Sequence, residues 1–431
     1  MSIKKQVLTG VKWTTVGTVV LAVTAILRVS VLTRFLDKAD FGLMALVTFV
    51  MGFMALFNDM GLTSAILHKQ NITKNQYASL YWFNLLVSFV MYAVLLAITP
   101  FVANFYNQPE LDILIPLLGL TLIISGIGRQ FKVIEQKKLL FKGISFVDMS
   151  TSILSLLVAV VLAARGFGVY SLVYSSLVQS FTSNLVFLIM GLRKQGLQFH
   201  LSFDEAKPFL KIGGFQVGGQ VVNYFNRDLD ILLIGKFFSP DILGGYSLAK
   251  QLVFRPAQLI NPILVKVASP ALALFQHDKA ALKKNYLRLV NIVTTINLPT
   301  YLGIILFAPW VVTILYGEGF DDIVLLVRIL SVYMIFRAIG NPVGSLVIAT
   351  GRTDLEFIWN IVTLLILPLF IYVGSQYGIV EVTIAITSAM AILYIPSWKL
   401  LINRMIGASL KEYLIASFTF NFDFLKRKMP Q

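Results

Sequence analysis

The sequence predicts an all-α integral membrane protein. Twelve transmembrane helices would form two pseudo-symmetric six-helix bundles around a central cationic cavity, with both termini in the cytoplasm. Three observations predict this class: a low charge fraction, a series of long apolar segments, and an uneven distribution of Lys and Arg between the connections. Only 13% of the 431 residues are charged and 57% are hydrophobic, whereas a soluble domain carries about 25% charged residues. Because so little charge cannot cover a water-facing surface, lipid is the expected solvent.

Each apolar segment is long enough to cross a bilayer as a helix, which requires about 20 mainly apolar residues. The first segment contains Arg28 and lacks a small-residue cleavage site, so we interpret it as a retained membrane helix and not as a signal peptide. The predicted spans are 11–32, 41–67, 78–103, 111–130, 145–164, 170–192, 210–236, 243–272, 287–315, 323–349, 357–377 and 379–402.

Lys and Arg orient these spans, because cytoplasmic connections of membrane proteins carry an excess of them. When the spans alternate in direction, 25 of the 36 Lys and Arg residues lie in connections or at helix ends on one side. The opposite side holds only Arg34, Lys38, Arg165 and Lys236. This asymmetry predicts an even number of spans, with both termini on the cytoplasmic side.

Two pairs of similar segments predict an internal duplication. Arg34-Phe35-Leu36 precedes Asp40-Phe41-Gly42, and 202 residues later Lys236-Phe237-Phe238 precedes Asp241 and Gly244. Pro100 and Pro309, 209 residues apart, begin the second pair. A repeated six-helix unit predicts an N-terminal lobe over 1–200 and a C-terminal lobe over 201–405, with a substrate site between them. Residues 406–431 form a basic cytoplasmic tail with an apolar stretch too short to span, which we expect at the membrane interface.

The composition excludes several kinds of site. The chain contains no Cys and only three His residues, all in predicted loops. Disulfides, thiolate metal sites and Cys nucleophiles are therefore excluded, and we predict no metal, no cofactor, no catalytic residue and no enzymatic activity. The formal charge of +15 is divided among the connections and forms no single basic face, so nucleic acid is not an expected partner.

Seven basic residues lie inside the predicted spans, where each costs about 2.5–3.5 kcal/mol at a helix centre. Such residues tend to face a bundle interior or a wet cavity. The alternative is that a long side chain reaches the headgroups from near a helix end. We favour this alternative for Lys266 and Arg328 and leave it open for Lys250; the remaining four are Arg28, Arg227, Arg255 and Arg337.

The seventh span carries a polar stripe in which Gln216, Gln220, Asn223, Arg227 and Asp230 are spaced 4, 3, 4 and 3 residues apart. This spacing places all five on one helix face. A lipid-facing stripe of this kind would be severely unfavourable, so we expect it to face protein or water. Arg227 and Asp230 are one turn apart, and an alternative interpretation is that they simply neutralise each other between packed helices.

These residues and their neighbours form the predicted site. The predicted substrate-binding residues are Arg28, Gln216, Gln220, Asn223, Arg227, Lys250, Gln251, Arg255 and Arg337. Asp59 and Asp230 are the candidates for coupling to H⁺ or Na⁺, although Asp59 could equally be a structural partner of an Arg. The cations outnumber the carboxylates, so the interior should attract a phosphate or an acidic sugar and repel organic cations.

Four segments carry a resemblance to a known family: LTRFLDKADFG at 32–42, YWFNLLVSF at 81–89, NRDLDILLIGKFFSPDILGGYSLAKQL at 226–252 and ATGRTDLEF at 349–357. With them the chain resembles the polysaccharide transporter family of the multidrug/oligosaccharidyl-lipid/polysaccharide flippase superfamily. The resemblance implies two lobes that open alternately to each side of the inner membrane. It also implies export of undecaprenyl-pyrophosphate-linked oligosaccharide for O-antigen, capsule, exopolysaccharide or teichuronic acid.

The same resemblance implies that cavity cations hold the pyrophosphate or acidic sugars. By position these would be Arg28, Arg227, Lys250, Arg255 and Arg337. A polysaccharide polymerase and a chain-length regulator are implied partners, alongside membrane lipid. Many relatives have two further helices after the twelfth, so a lipid-tail groove built from them is not expected here. The alternatives are a multidrug cation antiporter of the same fold and, more distantly, a membrane-embedded sugar polymerase.

Overall fold

The computed structural model describes the backbone of residues 3–59, 61–69 and 71–420. Side chains are described over the same ranges except at 3–8, 64, 208, 210–216 and 262–267. Within these ranges the secondary structure is helical and contains no strand, as the composition predicts. The all-α class is therefore confirmed.

The chain forms sixteen helices over the described residues. In order they are α1 (Ile3–Leu32), α2 (Lys38–Asp59), α3 (Leu62–His68), α4 (Lys74–Tyr106), α5 (Leu111–Lys137), α6 (Phe141–Ala164), α7 (Val169–Gln195), α8 (Phe203–Phe237), α9 (Pro240–Ala273), α10 (Lys279–Tyr316), α11 (Ile323–Gly340), α12 (Val343–Thr350), α13 (Thr353–Ser375), α14 (Ile379–Ser397), α15 (Arg404–Ile406) and α16 (Leu410–Phe418). A π-helical segment, Trp398–Asn403, joins α14 to α15.

Ten of the twelve predicted spans coincide with segments that are long and apolar enough to cross a membrane, counted over the described residues. Two of these segments contain more than one helix: Ile323–Thr350 joins α11 to α12, and Ile379–Ile406 runs from α14 through α15. The seventh and eighth predicted spans correspond to α8 and α9, which have 35 and 34 residues but are not among the ten. The count of twelve and the orientation of the termini stay predictions.

Two predicted spans are interrupted. The span 41–67 is not one helix, because α2 ends at Asp59 and α3 begins only at Leu62. Gly61 adopts a left-handed conformation with φ of 66°, which a glycine tolerates and which ends α-helical geometry. The span 323–349 is divided at Asn341-Pro342, between α11 and α12. Pro342 has no amide hydrogen to donate, so the helix breaks at this position.

The chain packs as two compact units. The first contains residues 1–224, 239–244 and 315–317, and the second contains residues 225–238, 245–314 and 318–431. The part of α8 up to Tyr224 thus packs with the first unit, although it belongs to the C-terminal lobe predicted from the repeat. Phe209 of α8 is 1% exposed in an apolar cluster with Ile66 and Leu80, and Glu205 accepts a hydrogen bond from Ser79.

Within the first unit, α5 packs against α4 and α7, and α6 packs against α1 and α7. The beginnings of α2 and α9 approach closely at two glycines. A Cβ atom added to Gly42 would lie 1.9 Å from the carbonyl oxygen of Pro240, and one added to Gly244 would lie 1.7 Å from that of Lys38. The two glycines are 202 residues apart, which is the offset of the predicted repeat.

Within the second unit, α14 packs against α11 and α13, and α16 adds a short amphipathic helix. Tyr413 of α16 is fully buried and stacks on Tyr394 of α14 with 5.2 Å between ring centroids. Nine residues are too few to span a bilayer. The predicted interfacial stretch therefore begins as a helix docked on its own unit; residues 421–431 of the predicted tail lie outside the described residues.

Candidate substrate-binding site

The second unit contains a cluster of charged side chains at the junction of α8 and α9. Only Phe238 and Ser239 separate the two helices, so residues at similar distances from this turn meet across the helix pair. Asp230 lies near Tyr246 in this way, and Arg227 lies near Lys250. Arg227 and Lys250 are each ten residues, about 15 Å, from the adjoining helix end. That distance is about half the thickness of a hydrocarbon core.

Lys250 is the centre of this cluster. Its Nζ lies 2.7 Å from Asp230 Oδ1, 3.2 Å from Asp228 Oδ1 and 2.8 Å from the carbonyl oxygen of Arg227. These three acceptors match the three hydrogens of an ammonium group. The Lys250 side chain is only 10% exposed, so the charge is buried but compensated. In this conformation Lys250 joins α8 to α9.

The two carboxylates have further donors. Tyr246, which is buried, donates its hydroxyl to Asp230 Oδ2 at 2.6 Å. Arg227 Nε donates to Asp228 Oδ2 at 2.7 Å. The predicted alternative paired Arg227 with Asp230; the structure pairs Arg227 with Asp228 and Asp230 with Lys250. The Arg227 side chain nevertheless stays 55% exposed, against 22% for Asp228.

Arg337 of α11 lies beside the same cluster. Its Nη1 donates to the Tyr333 hydroxyl at 2.6 Å, and its Cζ lies 5.4 Å from the centre of the Phe254 ring. Lys250 Nζ lies 5.5 Å from the same ring, so two cations share one aromatic ring at distances typical of cation–π contacts. Three cations and two carboxylates leave this cluster with a net positive charge.

The other predicted residues of this region are distributed along α8 and α9. Gln220 and Asn223 are exposed on the face of α8 that carries Arg227. Gln251 donates weakly to Ser247 at 3.4 Å, and Arg255 is half-buried. The side chain of Gln216 lies outside the described residues. The polar stripe thus continues as an exposed face at Gln220, Asn223 and Arg227.

Arg28 belongs to the first unit. Its Nη2 donates to Ser175 Oγ at 2.7 Å, to Ser176 Oγ at 3.1 Å and to the Leu172 carbonyl oxygen at 3.1 Å. All three acceptors lie on α7, so the guanidinium points into its own unit although it is only one turn from the end of α1. These acceptors are neutral, and no described carboxylate pairs with Arg28.

Asp59 lies at the end of α2 in the first unit. Its Oδ1 accepts a hydrogen bond from Thr63 at 2.6 Å and lies 3.5 Å from Arg129 Nη1. Arg129 also donates to Ser125 at 3.0 Å. This pairing corresponds to the structural alternative for Asp59. Asp59 and Asp230, the two candidates for ion coupling, each neighbour a cation in this conformation.

Sequence reasoning missed several partners of the predicted residues. Tyr333 is four residues before Arg337 on the same helix, so its spacing could have revealed the contact. Phe254, a partner of Arg337, and Ser175, a partner of Arg28, are common residue types in this sequence, so their identity alone did not mark them as partners. Arg129 lies on α5, 70 residues from Asp59 in the sequence. Long-range pairing of this kind has no local signal in one sequence.

The fold is similar to those of two solved membrane proteins. The inward-closed structure of the lipid II flippase MurJ superposes with a TM-score of 0.74, covering 96% of this chain and 95% of that chain at 13% identity. An inward-facing multidrug resistance transporter of the MATE family, from the MOP superfamily, superposes with a TM-score of 0.71, covering 89% and 94% at 17% identity. The class is therefore a multi-pass helical membrane protein with a fold like those of MurJ and the MATE transporter.

The model of the polysaccharide biosynthesis protein family matches residues 31–325, and the chain belongs to this family. The lipopolysaccharide biosynthesis protein WzxC of Escherichia coli (strain K12) is 27% identical over 417 residues, covering 96% of this chain and 85% of WzxC. The teichuronic acid biosynthesis protein TuaB of Bacillus subtilis (strain 168) is 27% identical over 414 residues, covering 96% and 84%. The resemblance inferred from the four sequence segments is thereby confirmed, and the protein is a multi-pass protein of the bacterial inner membrane.

Proposed function

We propose that this protein is a flippase, and not an enzyme, that moves an undecaprenyl-pyrophosphate-linked oligosaccharide from the cytoplasmic to the outer face of the bacterial inner membrane. It would do so by alternating access, during synthesis of a surface polysaccharide such as O-antigen, capsule, exopolysaccharide or teichuronic acid. The family assignment supports a role in polysaccharide biosynthesis. Relatives named for lipopolysaccharide and teichuronic acid biosynthesis, together with a flippase fold, support transport of the lipid-linked precursor.

The observation that carries this proposal is the exposed side chain of Arg227, ten residues from the end of α8. A charge in a predicted span is unfavourable in hydrocarbon and tends to face protein or water. Arg227 shares its exposed face with Gln220 and Asn223, which supply hydrogen-bonding groups suited to sugar hydroxyls. Guanidinium groups bind phosphate through paired N–H donors. We therefore propose that this face of α8 binds the pyrophosphate and the first sugar.

The remaining site residues have proposed roles that depend on their contacts. Arg255 and Arg337 would extend the positive field around the anion, and Arg28 would do the same in the first unit. Gln216 and Gln251 would add polar contacts. Lys250 is saturated by three acceptors in this conformation, so we propose that it binds substrate only after it separates from Asp228 and Asp230.

We also propose that transport is coupled to a cation. Protonation of Asp230, or binding of Na⁺, would compete with Lys250 for the carboxylate and weaken the link between α8 and α9. Asp59 is the second candidate; there the coupling cation would compete with Arg129 for the carboxylate. A polysaccharide polymerase and a chain-length regulator are the proposed partners downstream of transport.

A multidrug cation antiporter is the second candidate function, because a transporter of that kind shares the fold. The charge of the cluster argues against it, since three cations with two carboxylates repel an organic cation. Replacing Arg227 and Arg255 by Gln separates the two functions. Lipid-linked oligosaccharide export should be lost if the protein is the proposed flippase, whereas export of an organic cation should improve if it is an antiporter.

The test of the proposal is deletion of the coding gene in the native host, with identification of the accumulated lipid by mass spectrometry. We expect one pyrophosphate-linked oligosaccharide to accumulate on the cytoplasmic face and the surface polysaccharide to disappear, and a plasmid copy should restore both. Normal surface glycan in the deletion strain, in a background without a second exporter, would overturn the proposal.

A further inference from the structure

The second unit contains a cavity of about 500 Å³ that is separate from the charged cluster of α8 and α9. Three segments of the chain converge on it: the α9–α10 connection, the end of α12 with the turn that follows, and α15. Sequence analysis assigned all three segments to the cytoplasmic side. Their convergence on one cavity agrees with that common assignment.

The cavity carries three basic side chains, Lys279, Arg352 and Arg404. Arg352 is paired with Asp354 through two hydrogen bonds of 2.9 and 2.8 Å. Lys279 and Arg404 are exposed and pair with no carboxylate in the described part of the chain. A Cβ atom added at Gly407 would lie 3.9 Å from Lys279 Cε, so Lys279 extends towards the end of α15. Two uncompensated cations therefore face one concave surface.

The cavity also lies at the end of two membrane-spanning segments. The segment Ile323–Thr350 ends in its lining, and Ile379–Ile406 ends one residue beyond the lining residue Met405. Its floor includes Leu282 and Ala349, which are buried, while Ile348 is 65% exposed. An apolar floor with a basic rim at the end of membrane spans has the polarity of the headgroup layer, where lipid phosphates lie. Basic pockets of this kind between membrane helices bind anionic lipid headgroups.

We propose that this cavity is a binding site for the phosphate of an anionic membrane lipid in the cytoplasmic leaflet. Lys279 and Arg404 would contact the phosphate, Arg352 would stay with Asp354 at the rim, and Ile348 would contact the glycerol or acyl region. Gly351 makes the turn at the rim possible, because its φ of 69° is left-handed. This site is distinct from the proposed transport site and does not depend on which substrate is moved.

The test measures binding of dioctanoyl-phosphatidylglycerol to the full-length protein in detergent, by microscale thermophoresis. The test variant is Lys279→Gln/Arg404→Gln. The control is Lys138→Gln/Arg193→Gln, which removes two exposed cations from the same predicted side outside the cavity. Each basic residue near a membrane surface contributes about 1 kcal/mol to binding of an anionic lipid, so the dissociation constant should rise about 30-fold in the test variant. It should be unchanged in the control.

A second variant and a second ligand complete the test. Lys279→Arg/Arg404→Lys keeps both charges and should bind as the parent protein does, which separates loss of charge from loss of folding. Inorganic phosphate should bind at least tenfold more weakly than the lipid. Equal binding of inorganic phosphate, with the same loss in the test variant, would show a free-phosphate site and overturn the lipid assignment. Equal loss in the test and control variants, or no loss in either, would overturn the site itself.

Discussion

At the scale of single residues, Lys250 illustrates how a membrane protein can accommodate a buried charge. Its ammonium is satisfied by two carboxylates and a carbonyl oxygen, all from α8. Removing one partner of a buried ion pair leaves the other charge uncompensated, which is more costly than replacing both. The cluster therefore stabilises this conformation, and its contribution to the free energy of unfolding can be measured by double substitution.

We expect Lys250→Met to destabilise the protein by about 3–5 kcal/mol, because Asp228 and Asp230 would lose their shared cation. Adding Asp230→Asn to Lys250→Met should recover part of the loss. Thermal unfolding in detergent measures both effects. A Lys250→Met protein as stable as the parent would contradict the assignment of Lys250 as the link between α8 and α9.

The sequence patterns identified residues that are unusual in a membrane helix, but they did not identify the residues that these contact. The helical spacing of Gln220, Asn223 and Arg227 predicted that they share one helix face, and in the structure all three are exposed. The pairing of Asp59 with Arg129 was not predictable, since the two lie on different helices and contact depends on tertiary packing. The alternative interpretation paired Arg227 with Asp230 because one turn separates them, whereas in the structure Arg227 donates to its neighbour Asp228.

At the scale of helices, two glycines mark a close backbone approach where α2 and α9 begin. Gly42 and Gly244 each face the backbone of the opposite helix start. The symmetrical arrangement explains why the Asp-Phe-Gly segment in the first half of the chain has an Asp-x-x-Gly counterpart in the second half. Local sequence similarity in this case marked a shared structural requirement, namely that no side chain fits at the crossing.

Gly42→Ala and Gly244→Ala should each destabilise the protein by about 1–3 kcal/mol, because the added methyl forces the helix starts apart. Gly143→Ala is the matched control, since nothing lies within 4 Å of its added Cβ. The control should be neutral or slightly stabilising. Thermal unfolding of the three variants is the measurement, and equal behaviour of all three would show that the crossing is not tightly packed.

The short helix α16 is held at its start by a pH-dependent contact. Glu412 Oε1 lies 2.7 Å from Lys283 Nζ, and its side chain caps the Ser409 amide at 2.7 Å. The hydrogen bond from Lys283, followed by that from Ser409, lowers the pKa of Glu412 to about 2. Because the folded pKa lies below the ordinary value of 4.5, this contact stabilises α16 above that value and is lost as the pH falls through the folded pKa.

Hydrogen exchange of the α16 amides, corrected for the intrinsic pH dependence, tests this contact. We expect protection to fall between pH 4.5 and pH 2 in the parent protein. Glu412→Gln should show low protection at every pH in this window, with no transition. Persistence of the transition in the Gln variant would assign it to another group.

At the scale of the whole molecule, the natural absence of Cys makes the predicted topology directly testable. Single cysteines can be introduced without removing native ones. Positions 107, 167 and 318 lie in connections predicted on the outer side, whereas 71, 198 and 353 lie in connections predicted in the cytoplasm. A membrane-impermeant maleimide should label the first group in intact cells and the second only after permeabilisation. Labelling of both groups in intact cells would refute the alternation of twelve spans.

Composition and hydropathy were sufficient to predict the all-helical class and most helix positions, because membrane insertion constrains length and apolarity together. They could not predict the interruption at Gly61, which depends on one left-handed residue. Nor could they predict the docking of α16, whose buried Tyr413 contacts Tyr394 on another helix. Contacts between distant segments required the structure.

The proposed function depends most on Arg227 as the residue that receives a phosphate-bearing substrate. Its most direct test is the rate at which purified protein in liposomes moves a pyrophosphate-linked oligosaccharide to the opposite leaflet, detected by membrane-impermeant periodate. Because Arg227→Gln loses a charged hydrogen bond, we expect it to transport about 10- to 100-fold more slowly than the parent protein. Arg227→Lys keeps the charge but loses the paired donors, so its rate should lie between those of the parent and of Arg227→Gln. Arg193→Gln, at the exposed end of α7, should transport at the parent rate. Parent-like transport by Arg227→Gln would contradict the central claim.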